Sequence, residues 1–94
     1  MGTQKIIAGI YEILNTVNNK RYIGYSENIK KRWENHRYVL RRSCSGSVHL
    51  QAAWNIYGED SFKFSIVEIL PSGLNKRQYE EVETKWVKYF NTTK

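Results

Sequence analysis

The apolar and polar positions of this 94-residue chain follow two different periods, which separate strands from helices. Residues 6–14 and 21–25 are short apolar runs joined by the polar turn 15–19, as in a β-hairpin. Residues 62–70 alternate apolar and polar side chains and predict a third strand. The pattern therefore predicts three strands, of which the first two are adjacent in sequence.

Three other segments repeat their apolar residues every three to four positions, which is the helical period. They predict helices over about 28–42, 48–57 and 75–90. Ser26 is expected to cap the first helix and Gly58 to end the second, because these residue types favour those positions. The order ββ-α-α-β-α predicts an α+β fold, with a small three-stranded, mostly antiparallel sheet flanked by three helices.

Length and cysteine content limit the kind of protein. Residues 1–94 are enough for a single domain with a modest core. The one cysteine, Cys44, excludes an intrachain disulfide and fits a reducing compartment, so a cytoplasmic, intracellular location is expected. The apolar run at 6–14 is interrupted by Glu12 and does not read as a signal peptide. No segment approaches transmembrane length, so no membrane partner is expected.

The charge balance is basic, with fifteen Lys and Arg against nine Asp and Glu and a net charge of +6. An excess of this size favours a polyanionic partner, of which nucleic acid is the commonest. A membrane surface fits less well, because the basic residues are not gathered on one long helix with a bulky apolar face.

The first predicted helix carries two polar side chains on its apolar side. Ile29, Trp33 and Leu40 share one face. His36 falls in the middle of that face and Arg32 at its edge, so both point towards the sheet. The alternatives are a core histidine with satisfied hydrogen bonds and an arginine that reaches solvent at the helix margin. Other directions on the helix hold basic residues that can meet phosphates: Lys30, Lys31, Arg37, Arg41 and Arg42.

The last predicted helix has a carboxylate within its apolar face. Glu83 lies between Tyr79 and Trp86 on one side and Val87 on the other. A half-buried carboxylate is costly unless it is paired or binds a metal ion. Three interpretations therefore stay open: a salt bridge (with Arg32, for example), a side chain that reaches solvent at the margin of the apolar face, and a metal ligand.

Two triplets in the predicted hairpin, Gly9-Ile10-Tyr11 and Tyr22-Ile23-Gly24, place a glycine where a strand usually has a side chain. Such a glycine often marks the close approach of a ligand or of another backbone. With Arg32, His36 and Glu83 following in order, the chain resembles the GIY-YIG nuclease family, whose name spells the two triplets.

The resemblance extends over nearly the whole chain. Residues 31–36, Lys-Arg-Trp-Glu-Asn-His, are similar to the corresponding helix of phage group I intron homing endonucleases. Leu50-Gln51, Trp54 and Tyr57-Gly58 resemble the second helix of those proteins.

The resemblance implies a metal-dependent DNA endonuclease of the homing-endonuclease type. Its catalytic residues would be Tyr11, Tyr22, Arg32, His36 and Glu83. Glu83 would hold one divalent ion per active site, Mg²⁺ or Mn²⁺, while Arg32 binds the phosphate and a tyrosine takes a proton from water. The sequence does not decide which tyrosine is the base. Further contacts to the substrate are expected from Gly9, Gly24, Lys31, Arg37, Arg41, Arg42 and His49.

Three features depart from the family pattern. Family members commonly have an asparagine shortly after the glutamate helix, and this chain is expected to end before that position, with Asn91 as a candidate substitute. Intron-encoded relatives have a histidine in the loop after the first helix, whereas residues 43–47 lack one and His49 comes later. Homing relatives add a DNA-recognition region after the catalytic domain, and residues 1–94 are expected to contain none. The oligomeric state stays open.

Two functions other than cleavage fit the same residues. The first is a non-catalytic nucleic-acid-binding module that uses a basic helix and exposed aromatic side chains. The second is a small interaction module whose basic surface is incidental, which would have no nucleic-acid affinity at physiological salt.

Overall fold

The computed structural model describes the backbone of residues 6–92 and the side chains of residues 6–90. Its strands and helices, in chain order, are β1 (Ala8–Asn15), β2 (Lys20–Ser26), α1 (Ile29–Arg41), α2 (Val48–Tyr57), β3 (Phe62–Leu70) and α3 (Lys76–Thr92). One turn of 3-10 helix precedes β3. The predicted α+β fold, a three-stranded sheet with three helices in the order ββ-α-α-β-α, is confirmed. Among residues 6–92, no helix is long and apolar enough to cross a bilayer.

The sheet places β1 between β2 and β3, and β1 is antiparallel to both neighbours. Tyr11 on β1 lies opposite Gly24 on β2 and Ile66 on β3. The pairing with β3 shifts at this point, from Ile10 opposite Glu68 to Tyr11 opposite Ile66. The antiparallel hairpin thus makes the two sequence triplets meet at one pair, Tyr11 and Gly24.

The two faces of the sheet are covered by different helices. Successive strand residues point to opposite faces, and Tyr11 and Ile13 belong to the core that α1 and α2 complete. That core also contains Ile29, Leu40, Leu50, Ala53, Trp54 and Phe62. On the other face, α3 packs chiefly against β2, where the rings of Tyr79 and Tyr25 stack with centroids 5.4 Å apart.

At two element ends the structure shows why the sequence expectation is not met. β1 begins at Ala8 rather than Ile6, because the backbone carbonyl of Ile7 accepts a hydrogen bond from Ile29 N–H at 2.8 Å, before strand pairing begins. Ser26 does not cap α1, because it is still paired in β2. Asn28 caps the helix instead, and its side chain accepts from Lys31 N–H at 3.2 Å.

Candidate active site

A cleft of about 590 Å³ lies at the outer edge of the sheet, beside β2. Its walls come from β1, β2, α1, α3 and the start of α2. The cleft brings together all five residues predicted to be catalytic: Tyr11, Tyr22, Arg32, His36 and Glu83. The sequence separates these residues by up to seventy-two positions, and the sheet and helices bring them to one place.

Tyr11 and His36 form a hydrogen-bonded pair inside the cleft. The hydroxyl oxygen of Tyr11 lies 3.0 Å from Nε2 of His36. The Tyr11 ring is only 4% exposed and its edge contacts the rings of both His36 and Trp33, with centroids 5.9 and 6.4 Å away. Packing of the ring therefore fixes the direction in which the hydroxyl points.

Burial and charge set the protonation of this pair. Burial raises the pKa of Tyr11, while the guanidinium of Arg32 acts in the opposite direction and the carboxylate of Glu83 adds to the increase. Burial also lowers the pKa of His36 below its ordinary 6.5, and the positive charge of Arg32 lowers it further. His36 is therefore neutral at neutral pH. With its proton on Nδ1, its Nε2 atom accepts the hydrogen that Tyr11 donates.

Tyr22 occupies a more open position than Tyr11. It lies on the edge strand β2, is half-buried and lines the cleft. Burial raises the pKa of Tyr22, and Tyr57 at the end of α2 raises it further. The structure therefore distinguishes the two tyrosines, because Tyr11 is the one whose hydroxyl is hydrogen-bonded to a histidine.

The two glycines of the triplets make room for atoms of the protein itself. A Cβ atom on Gly24 would lie 2.5 Å from the hydroxyl oxygen of Tyr11. Gly9 has a φ of +151°, and a Cβ there would lie 2.1 Å from the carbonyl oxygen of Glu68 on β3. Gly24 lines the cleft, whereas Gly9 is buried and does not. In the structure Gly9 packs against the backbone of β3 inside the sheet, and its contact with substrate stays a prediction.

Glu83 supplies the carboxylate of the cleft. Its side chain is half-buried on α3, and burial together with the neighbouring Glu80 carboxylate raises its pKa. Among residues 6–90, no ion pair or hydrogen bond to this carboxylate is formed, so the salt bridge with Arg32 that the sequence allowed is absent there. The same part of the chain contains no group of three His, Cys, Asp or Glu that could hold a metal ion. Within the described side chains, Glu83 is therefore the one carboxylate that lines the cleft, and none of them compensates its charge.

The other predicted substrate-binding residues lie outside the cleft. Arg41 forms a two-pronged ion pair with Glu59, with Nε donating to Oε1 at 2.8 Å. The guanidinium of Arg37 lies over the ring of Phe64, 4.3 Å from its centroid. Three more are exposed: Lys31, Arg42 and His49.

Sequence reasoning missed part of the cleft wall. Ser47 and Leu50 at the start of α2 line it, although residues 43–47 were expected only to connect two helices. The available signal was Ser47 itself, because serine before an apolar run is a preferred helix cap, and its Oγ accepts from Leu50 N–H at 3.3 Å. The side chain of Asn91, the candidate substitute for the family asparagine, lies outside the described residues.

The sequence of this chain is similar to the sequences of known proteins. Residues 7–94 match the GIY-YIG catalytic domain family. The chain is 39% identical over 85 residues to intron-associated endonuclease 1 of Enterobacteria phage T4, covering 90% of this chain and 34% of that protein. It is 31% identical over 86 residues to the probable intron-encoded endonuclease 1 of Neurospora crassa, covering 88% and 27%. The chain thus spans about a third of the length of these curated relatives.

Two solved structures have the same fold. The catalytic domain of the homing endonuclease I-TevI superposes with a TM-score of 0.82 and 38% identity, over 89% of this chain and 88% of that one. A mutant of the I-TevI catalytic domain gives a TM-score of 0.83 and 37% identity, over 92% and 86%. The family expected from the two triplets is confirmed: the chain belongs to the GIY-YIG catalytic domain family.

Proposed function

We propose that this chain is a nuclease that hydrolyses phosphodiester bonds in DNA, with one divalent cation, Mg²⁺ or Mn²⁺, held at Glu83. The observation that carries the proposal is the hydrogen bond between Tyr11 and His36 in a cleft that also holds Arg32 and Glu83. Phosphodiester hydrolysis is promoted by a base that takes a proton from water, by a guanidinium that binds the phosphate oxygens, and by a carboxylate that can hold a metal ion. The net charge of +6 fits a polyanionic substrate, and the relatives named above are called endonucleases.

The chemistry of Glu83 fits a hard divalent cation. Its carboxylate is half-buried, its pKa is raised by burial and by Glu80, and it forms no ion pair within the described side chains. Such a carboxylate is costly until a cation compensates it. Mg²⁺ keeps several waters and takes one or two protein carboxylates, which agrees with a cleft that offers one. When bound, the cation supplies charge neutralisation at the phosphate and its leaving oxygen.

The residues of the cleft can move a proton away from the attacking water. As Tyr11 takes a proton from water, its own hydroxyl proton passes to Nε2 of His36, so that no free phenolate has to form in the buried site. The neutral state of His36, favoured by burial and by Arg32, is the state that can accept this proton. General base catalysis of this kind contributes about 10²- to 10⁴-fold to the rate.

Arg32 acts on the phosphate. Its guanidinium lines the cleft and offers a fork of N–H donors that matches two phosphate oxygens. The same positive charge opposes the increase in the pKa of Tyr11, so it also favours loss of the Tyr11 proton. Tyr22, which is half-buried at the cleft edge, would orient the water or a phosphate oxygen through its hydroxyl.

Incubation of the chain with supercoiled plasmid and Mg²⁺ tests the proposal. We expect nicked or linear plasmid, no product with EDTA, and no product from Glu83→Ala or Arg32→Ala. Matched controls are Glu81→Ala and Arg77→Ala, which remove the same charges from exposed positions of α3 outside the cleft. Plasmid that is retarded but uncut by every protein would contradict the nuclease and favour the non-catalytic binding module.

A further inference from the structure

An exposed stripe of side chains runs along α1 on its solvent side. Its members, spaced i, i+4, i+7 and i+11, are Lys31, Asn35, Tyr38 and the capping residue Arg42. This spacing places side chains on one face of an α-helix. All four are exposed, and none is a carboxylate. We refer to these four residues as the outer stripe.

The outer stripe borders the cleft. Arg32 and His36, each one position after a member of the stripe, line the cleft. The opposite flank of α1 faces β3, where Trp33 contacts the ring of Phe64 with centroids 5.8 Å apart and Arg37 covers the same ring. The outer stripe is therefore the solvent-facing surface of α1 next to the cleft.

Three basic residues lie on the flank near β3, and two of them, Arg37 and Arg41, are already engaged within the protein, whereas Lys30 is exposed. Arg37 is half-buried over Phe64 and its charge acts on the carboxylate of Glu59, and Arg41 pairs with the same carboxylate. The same flank also carries a negative charge, Glu34. On the outer stripe, by contrast, Lys31 forms no ion pair within residues 6–90.

Arg42, the other cation of the outer stripe, has an aromatic partner instead of a carboxylate. It contacts the ring of Tyr38, with its guanidinium carbon 5.3 Å from the ring centroid. A ring contact leaves the N–H donors of the guanidinium free. The two flanks of one helix therefore differ in how much positive charge they can offer to a ligand.

We infer that the outer stripe binds the sugar–phosphate backbone of duplex DNA next to the cleft, and that Arg37 and Arg41 do not. This inference rests on the proposed function, since the cleft has to receive DNA. Lys, Arg, Asn and Tyr are among the side chains that contact DNA phosphates. Eleven residues of helix cover about 17 Å at 1.5 Å per residue. That length corresponds to about five nucleotides at 3.4 Å each along one strand, enough for several phosphates.

The salt dependence of duplex binding tests the inference. Binding of a fluorescent duplex is measured by anisotropy at several salt concentrations, in EDTA so that the DNA stays intact. Each phosphate contact contributes about 0.9 to the slope of log K against log salt. We expect Lys31→Ala/Arg42→Ala to reduce that slope by about 1.8 and to weaken binding about tenfold or more at low salt.

A charge-matched control is Lys63→Ala/Lys88→Ala, which removes two exposed lysines from β3 and α3. We expect its slope to stay close to that of the wild type. A second variant, Asn35→Asp, removes no cation but places a negative charge in the middle of the outer stripe, and it should also weaken binding. All these side chains are exposed, so the melting temperature should not change, and calorimetry checks this.

The possible results separate this inference from the proposed function. If the wild type nicks plasmid but the outer-stripe variant keeps the wild-type slope, the outer stripe is a solvated surface and only this inference fails. Equal losses in the outer-stripe and control variants also overturn it, because net charge would then explain binding. A wild type that does not bind the duplex overturns this inference, and a wild type that also leaves plasmid uncut in Mg²⁺ overturns the proposed function as well.

Discussion

Gly24 and Tyr11 face each other across β1 and β2 with no room for a methyl group between them. A Cβ atom on Gly24 would lie 2.5 Å from the Tyr11 hydroxyl oxygen and 2.6 Å from the ring carbon that bears it. Position 24 therefore has to be a glycine if the Tyr11 side chain is to keep its place. In turn, the position of the Tyr11 hydroxyl, 3.0 Å from His36, depends on that glycine.

Gly24→Ala should displace the Tyr11 ring and lose activity. Because the ring is buried, the added methyl group forces it out of place, and overpacking of this kind costs about 1–3 kcal/mol of unfolding free energy. A displacement of about 1 Å in a catalytic group can lower the rate about 100-fold. Thermal unfolding and plasmid nicking of the same preparation measure the two effects.

Gly46→Ala is the matched control for Gly24→Ala. A Cβ atom at Gly46 has no heavy atom within 4 Å and the backbone there has no strained φ. We expect wild-type nicking and stability from this variant. A Gly24→Ala protein that nicks plasmid at the wild-type rate would show that the Tyr11 hydroxyl need not occupy its place beside His36.

Tyr11→Phe should lower the cleavage rate about 10²- to 10⁴-fold, because it removes the hydroxyl proposed to accept the proton from water. Tyr25→Phe is the comparison, since Tyr25 also lines the cleft and its ring stacks on Tyr79 with or without the hydroxyl. Single-turnover cleavage with saturating protein measures both rates. Similar cleavage rates for the two variants would show that Tyr11 is not the general base.

Glu83→Gln should stabilise the metal-free protein at neutral pH and abolish stabilisation by Mg²⁺. The folded-state pKa of Glu83 is raised, so its charged form is less favourable in the folded chain than in the unfolded one, and the neutral amide relieves this. A ligand that binds only the folded state raises its melting temperature. Melting temperatures with and without Mg²⁺ test both effects.

Glu81→Gln removes a carboxylate from an exposed position of the same helix. This control should keep the increase in melting temperature that Mg²⁺ gives the wild type. If Glu83→Gln is stabilised by Mg²⁺ as strongly as the wild type, the cation binds elsewhere.

Stability at acidic pH should depend on His36. Its pKa is lowered in the folded state, so between that value and 6.5 the unfolded chain binds more protons than the folded one. The neutral imidazole therefore contributes stability above pH 6.5 that is lost as the pH falls through the folded-state pKa. Urea unfolding of wild type and His36→Gln between pH 8 and pH 5 should show a larger acid loss for the wild type. Plots of unfolding free energy against pH that run parallel for the two proteins would contradict this. The exposed His49 is present in both proteins, so it does not contribute to a difference between them.

The order of elements and the five cleft residues could be predicted from the sequence. Helical period puts His36 on the core-facing side of α1, and strand pairing follows from the short polar turn between β1 and β2. The cap of α1 could not be predicted, because Ser26 and Asn28 have similar capping propensity and only pairing in β2 removes Ser26 from competition.

Contacts between residues distant in sequence could not be predicted from local sequence patterns. Asn15 was expected in an exposed turn, yet its side chain is fully buried and its Oδ1 accepts from Val17 N–H at 2.9 Å. Arg41 pairs with Glu59, eighteen residues later, once α2 has packed, and local patterns do not predict this pair. Such contacts depend on tertiary packing, and the periodicity of a single helix carries no information about it.

Because β1 lies in the centre of the sheet, the parts of the cleft differ in their resistance to local unfolding. The backbone around Tyr11 is held on both sides, so its amide hydrogens should exchange with solvent only when the whole sheet opens. Glu83 belongs to α3, which rests chiefly on the edge strand β2 and can separate at a lower cost. A local opening that detaches α3 would therefore remove Glu83 from the cleft while Tyr11 and His36 stay hydrogen-bonded. Return of α3 would restore the complete cleft without refolding of the sheet.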